Sequence, residues 1–101
     1  MSDLASVLIV GSHPELTAAV ADAIRARGFS VRGVIGAEAG LAALDEGSVD
    51  AMVLGGPSAM SRHVDLIDKL HAKNRWAKVI VPTSPGGALA AIERLFERDA
   101  N

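Results

Sequence analysis

The chain contains no cysteine and no tyrosine, and only three aromatic residues, Phe29, Trp76 and Phe96. Without cysteine there is no disulfide, no thiolate nucleophile and no thiolate metal site. With so few rings the core must be assembled from Val, Ile, Leu and Ala, which suits helices packed closely on a sheet. Long apolar runs are missing too, whereas a helix that crosses a bilayer needs roughly 20 such residues. The opening Met1-Ser2-Asp3-Leu4-Ala5-Ser6 lacks the basic start and apolar stretch of a signal peptide. These absences predict a soluble, cytoplasmic protein with no membrane association. An excess of positive charge is also lacking: 10 Lys and Arg stand against 12 Asp and Glu, for a net charge of -2. Nucleic-acid binding draws on clustered cations, so no nucleic-acid partner is expected. Neither G-x-G-x-x-G nor G-x-x-x-x-G-K-[ST] occurs.

What is there is an alternation of short apolar runs and helical spacing. Its 101 residues suffice for a single domain, 1–101, with one core. Val7-Leu8-Ile9-Val10 is continuously apolar and stops at Gly11, as expected of a strand buried on both faces. Pro14 suits the first turn of a helix. Leu16, Ala19, Val20, Ala23 and Ile24 follow at helical spacing, and Gly28 is a good stop. Residues 29–35 read as a second strand with Val31 and Val34 as core candidates, and Gly33 marks a bulge or an edge. A short helix over 37–44, closed by Gly47, leads to a third strand over 51–54.

Ser58 or Ser61 is placed to cap a third helix, with Val64, Ile67, Leu70 and His71 on its apolar side. Residues 78–81 form a fourth strand. A loop ending at Pro85-Gly86-Gly87 precedes a last helix over 88–96, with Leu89, Ile92, Leu95 and Phe96 on one face. Strands alternating with helices imply a parallel sheet with right-handed crossovers. The expected fold is α/β, a flavodoxin-like three-layer α/β/α sandwich of strand order 2-1-3-4, with the fifth strand missing or replaced.

Val7-Leu8-Ile9-Val10 followed by Gly-Ser-His-Pro-Glu-Leu resembles the opening of bacterial response-regulator receiver domains. The pattern Ala37-x-x-Gly40-x-x-Ala43-Leu44, then Asp50-Ala51-Met52-Val53-Leu54, is similar to the second helix and third strand of that family, and Thr83 matches its hydroxyl residue after the fourth strand. The resemblance covers roughly residues 6–84. It implies where the phosphotransfer groups would stand. The acidic pair that would hold Mg²⁺ falls on Gly11 and Ser12, and the phosphoacceptor aspartate falls on Gly55. The Lys-Pro of a fifth strand has no counterpart, because Thr83-Ser84 runs straight into the last helix. Such chemistry needs carboxylates to hold a hard cation and an aspartate to attack. The resemblance therefore implies a degenerate receiver-like domain, non-enzymatic, acting in signalling or regulation through protein–protein contacts.

Three loops gather at the carboxyl ends of the strands, where ligands collect in open α/β sheets. They are Gly11-Ser12-His13-Pro14, Gly55-Gly56-Pro57-Ser58 and Thr83-Ser84-Pro85-Gly86-Gly87. Free N–H groups at helix starts attract anions. The candidate binding residues are therefore Gly11, Ser12, His13, Gly55, Gly56, Ser58, Thr83, Ser84, Gly86 and Gly87, and the alternative reading is a domain that binds a nucleotide or other small anion. Glycine, serine and proline are also ordinary turn and cap chemistry. His13 sits where a general base or a phosphate contact could reach the rim, although no carboxylate is placed to orient it, and Ser12, Ser58 and Ser84 lack an activating base.

His63 and His71 are eight residues apart, too far for a metal pair on one helix, so no metal and no cofactor are expected. Asp50 reads as a turn residue. Arg62, Lys69, Lys73, Arg75 and Lys78 interleave with Asp65 and Asp68 as a solvated face. Trp76 either packs over the end of the sheet or anchors an interface. With four strands, the fourth leaves an open edge, and the expectation is a homodimer joined through the fourth strand or the last helix.

Overall fold

The all-apolar strand over 7–10 ends up at the centre of the sheet, where both faces need covering. A computed structural model describes residues 6–55, 62–81 and Arg94. In chain order these form β1 (Ser6–Gly11), α1 (Pro14–Arg25), β2 (Ser30–Ile35), α2 (Ala37–Glu46), β3 (Ala51–Leu54), α3 (His63–Lys73) and β4 (Lys78–Ile80). All pairings are parallel, in the order β2-β1-β3-β4. Val7 lies between Val31 on one side and Ala51 on the other, and Val10 between Val34 and Leu54. The architecture is the expected α/β layering of flavodoxin-like topology. The last helix over 88–96 and the expected fate of a fifth strand fall outside the described residues. Among those described, no helix is long and apolar enough to cross a membrane.

Alternation along the strands sorts the core into two layers. Val7, Ile9, Ala51, Val53 and Ile80 face Ala21 and Ile24 of α1. Leu8, Val10, Met52 and Leu54 face Ala37, Ala43 and Leu44 of α2 and Leu66 and Leu70 of α3. Two glycines take backbone conformations that a side chain would strain: Gly28, with φ 96°, ends the turn after α1, and Gly36, with φ 90°, caps the start of α2.

Helix faces depart from the expected ones. On α1 Ile24 is buried as expected and Val20 is half-buried against the core, but Thr17 and Ala21 are buried too, while Leu16 is 51% exposed and Ala19 is exposed. The cause is close approach to the sheet at two glycines. A Cβ built on Gly11 would land on Thr17 Oγ1, and one built on Gly33 would lie 3.0 Å from Thr17 Cγ2. A side chain the size of leucine does not fit that gap, so the helix sets Thr17 and Ala21 over the glycines.

On α3 the buried residues are Leu66 and Leu70, with Ile67 half-buried and Val64 left 56% exposed. Leu66 seats against the Cβ-free face of Gly40: a Cβ there would lie 3.0 Å from Leu66 Cδ2. The helix starts at His63 with Arg62 in the cap position and no side-chain cap bond, while the cap candidates Ser58 and Ser61 lie outside the described residues. Gly33 marks an edge and no bulge, since β2 is the outer strand and its register runs unbroken through Ile9 and Gly33.

Candidate functional site

In a parallel sheet every strand-to-helix loop opens on one edge, so the ends of β1 and β3 bring Gly11 and Gly55 together. Gly36 N–H donates to Gly11 O at 2.9 Å, and Gly55 N–H donates to Val10 O at 2.8 Å. Of the ten candidate binding residues, Gly11, Ser12, His13 and Gly55 are described and neighbour one another at this rim. Gly56, Ser58, Thr83, Ser84, Gly86 and Gly87 lie outside the described residues.

The two strand tips differ in what they would accept. Gly11 is buried against Thr17 and has no room for a side chain. Among the described residues, a Cβ on Gly55 meets only Val10 O, at 3.9 Å, which is ordinary contact. Steric pressure from Thr17 therefore opposes any side chain at position 11, while at position 55 no described residue opposes a Cβ. Ser12 is half-buried. His13 occupies the cap position of α1 without a side-chain cap bond, and its carbonyl accepts Thr17 N–H at 2.9 Å. Its ring is exposed.

The acids at this edge sit out on the first helical turns, as Glu15, Glu38 and Asp65, where they complement the helix dipoles. Asp65 accepts from Arg62 Nε at 3.1 Å. Among the described residues no three His, Asp or Glu side chains lie close enough to hold a metal ion. The edge also carries exposed apolar side chains, two of which, Leu16 and Val64, helical spacing assigns to the core. Leu16 and Val64 lie in the first turns of α1 and α3, Ile35 ends β2, and Val81 follows β4; their exposures run from 40% for Ile35 to 56% for Val64.

The remaining singled-out residues lie elsewhere. Asp50 stands at the opposite edge and ties strands together: its Oδ2 accepts Ser6 N–H at 2.8 Å, its N–H donates to Ser6 O at 2.8 Å, and its carbonyl accepts Lys78 N–H at 3.0 Å. That makes it a structural bracket. His63 opens α3 and His71 lies in its last turn, with His71 Nε2 3.1 Å from Ala77 O. Lys69 reaches across to α2, where its ammonium donates to Asp45 at 2.8 Å and holds that carboxyl below its usual range. Trp76 does not pack over the sheet, being 79% exposed. A depression of about 200 Å³ also lies at the opposite edge, between the starts of β1 and β2 and the end of α2, beside the Arg32–Glu46 ion pair at 2.6 Å. No family model matches this chain, and neither a curated protein nor a solved structure matches it.

Proposed function

We propose that this chain is a receiver-like regulatory domain that cannot be phosphorylated and works through protein contacts in the cytoplasm. The observation that carries the reading is the pair of strand tips. Where a phosphoryl-accepting site needs carboxylates, position 11 is a glycine packed against Thr17 and position 55 is a glycine as well. Exposed Leu16, Ile35, Val64 and Val81 around the same edge favour contact with another protein over small-anion chemistry. Self-association through β4 or the last helix belongs to the same proposal, and its support is that β4 is the outermost described strand on its side.

The test is intact-mass measurement after incubation with Mg²⁺ and acetyl phosphate. The expected mass is unchanged. A phosphoryl adduct that hydroxylamine removes, as it removes acyl phosphates, would refute the reading. A nucleotide that raises the melting temperature would favour the ligand-binding alternative, because a ligand held only by the folded form stabilises it.

A further inference from the structure

The edge opposite the strand tips carries a feature that this reading leaves unused. After Lys73 the chain turns from α3 into β4 through Asn74-Arg75-Trp76-Ala77. Asn74 holds the turn. Its N–H donates to Leu70 O at 2.9 Å and its Nδ2 to Val49 O at 3.1 Å, while its Oδ1 accepts Trp76 N–H at 3.1 Å and its carbonyl accepts Ala77 N–H at 3.1 Å. Ala77 is buried, so the residues on either side of it, Trp76 and Lys78, face outward. The largest side chain in the protein is thus held in water by a well-bonded turn, at 79% exposure. Exposed apolar groups with a polar surround mark interaction sites.

The surround is cationic. The Arg75 guanidinium lies 5.9 Å from the centroid of the Trp76 ring, within cation–π reach. Arg25, Arg32, Arg62 and Lys69 each pair with a carboxylate, whereas Arg75 and Lys78 join no ion pair among the described residues. Tryptophan and arginine are the residue types that dominate interface energetics. A turn already ordered loses little freedom on binding. We propose that Arg75, Trp76 and Lys78 dock an acidic segment of a partner protein, an apolar side chain covering the indole and carboxylates meeting the two cations. Nucleic acid fits less well, since a phosphate backbone draws on many cations and the chain carries a net charge of -2.

Trp76 is the single tryptophan, so intrinsic emission reports on this surface alone. The probe is a short peptide alternating Glu and Leu, titrated at low ionic strength and at a protein concentration where sedimentation shows one species. Emission should shift to the blue and saturate, and binding should weaken as salt rises. Arg75→Glu or Lys78→Glu should each weaken it about tenfold. Trp76→Ala, followed by anisotropy of a labelled peptide, should lose binding while keeping its urea midpoint, because the ring is exposed.

Three results would each overturn the proposal: no emission change, equal binding of the Gln-Leu counterpart, or tighter binding of a thymidine oligonucleotide. Retention of full affinity by Arg75→Glu would overturn it as well. A phosphoryl adduct at the strand tips would refute the regulatory reading and leave these outcomes standing. A silent titration would remove this surface alone.

Discussion

At Gly11 a single added methyl group collides with Thr17, while at Gly55, just past the end of the neighbouring strand, the same group meets, among the described residues, only a carbonyl oxygen at 3.9 Å. Overpacking a closed site costs about 1–3 kcal/mol. Gly→Ala at an unstrained, open site is neutral or stabilises by about 0.4–1 kcal/mol through the unfolded chain. Gly11→Ala should therefore lose about 1–3 kcal/mol in urea unfolding, and Gly55→Ala should not. In a Thr17→Ala background most of the Gly11→Ala loss should disappear, because the clashing Oγ1 is gone. Simple additivity of the two changes would show that Thr17 is not the obstacle. The glycine at 55 was legible as a missing acid. The reason for glycine at 11 was not, because Thr17 is six residues away along the chain and meets it only after α1 has docked.

Helix α1 illustrates what decides at the scale of an element. Its sequence offers two overlapping stripes, one through Leu16, Ala19, Val20, Ala23 and Ile24, the other through Thr17, Ala21 and the same Ile24. By hydrophobicity the first is the better core face. The sheet chooses the second, since Gly11 and Gly33 form a notch that admits Thr17, and Ile24 becomes fully buried. Leu16→Gln should change stability by no more than about 0.5 kcal/mol, as for an exposed surface site. Ile24→Ala should cost about 2–5 kcal/mol, the lost transfer energy plus a cavity. Thermal unfolding of the two variants side by side checks this; a large loss at Leu16 would contradict the observed face. Helix α3 behaves alike. Leu66 escaped the periodicity reading because its partner is Gly40, a residue with no hydrophobic signal of its own. The strands were far easier to read, since residues 7–10 of β1 and all of β3 are apolar and need no choice of face.

The molecule as a whole has two unlike ends. The edge at the carboxyl ends of the strands carries glycine and exposed aliphatic groups. The opposite edge carries the Asp50 bracket across Ser6 and Lys78, and the cationic turn around Trp76. The sheet also has two outer strands among those described, β2 and β4, and they are guarded unequally. Along β2, Arg25 Nη2 donates to Val31 O at 3.1 Å and Arg32 pairs with Glu46 at 2.6 Å. Cations at an edge discourage strand pairing. On β4 the exposed cation is Lys78 alone, at its first residue. Self-association through β4 or the last helix predicts a dimer in sedimentation equilibrium at high micromolar concentration. A monomer throughout that range would remove this part of the proposal.

The pattern of residues alone determined the succession of strands and helices, the parallel sheet, its order 2-1-3-4 and the absence of acid at Gly11, Ser12 and Gly55. The first two follow from local periodicity, turn chemistry and the handedness of crossovers, which act over short stretches of chain, and the order follows from the likeness to a flavodoxin-like domain one strand short. Only the tertiary structure decided which faces of α1 and α3 turn inward, that Asp50 brackets two other strands, and that Trp76 stands in solvent. Those outcomes depend on how closely two backbones approach, and that distance is set by glycines and small side chains brought together from distant parts of the chain.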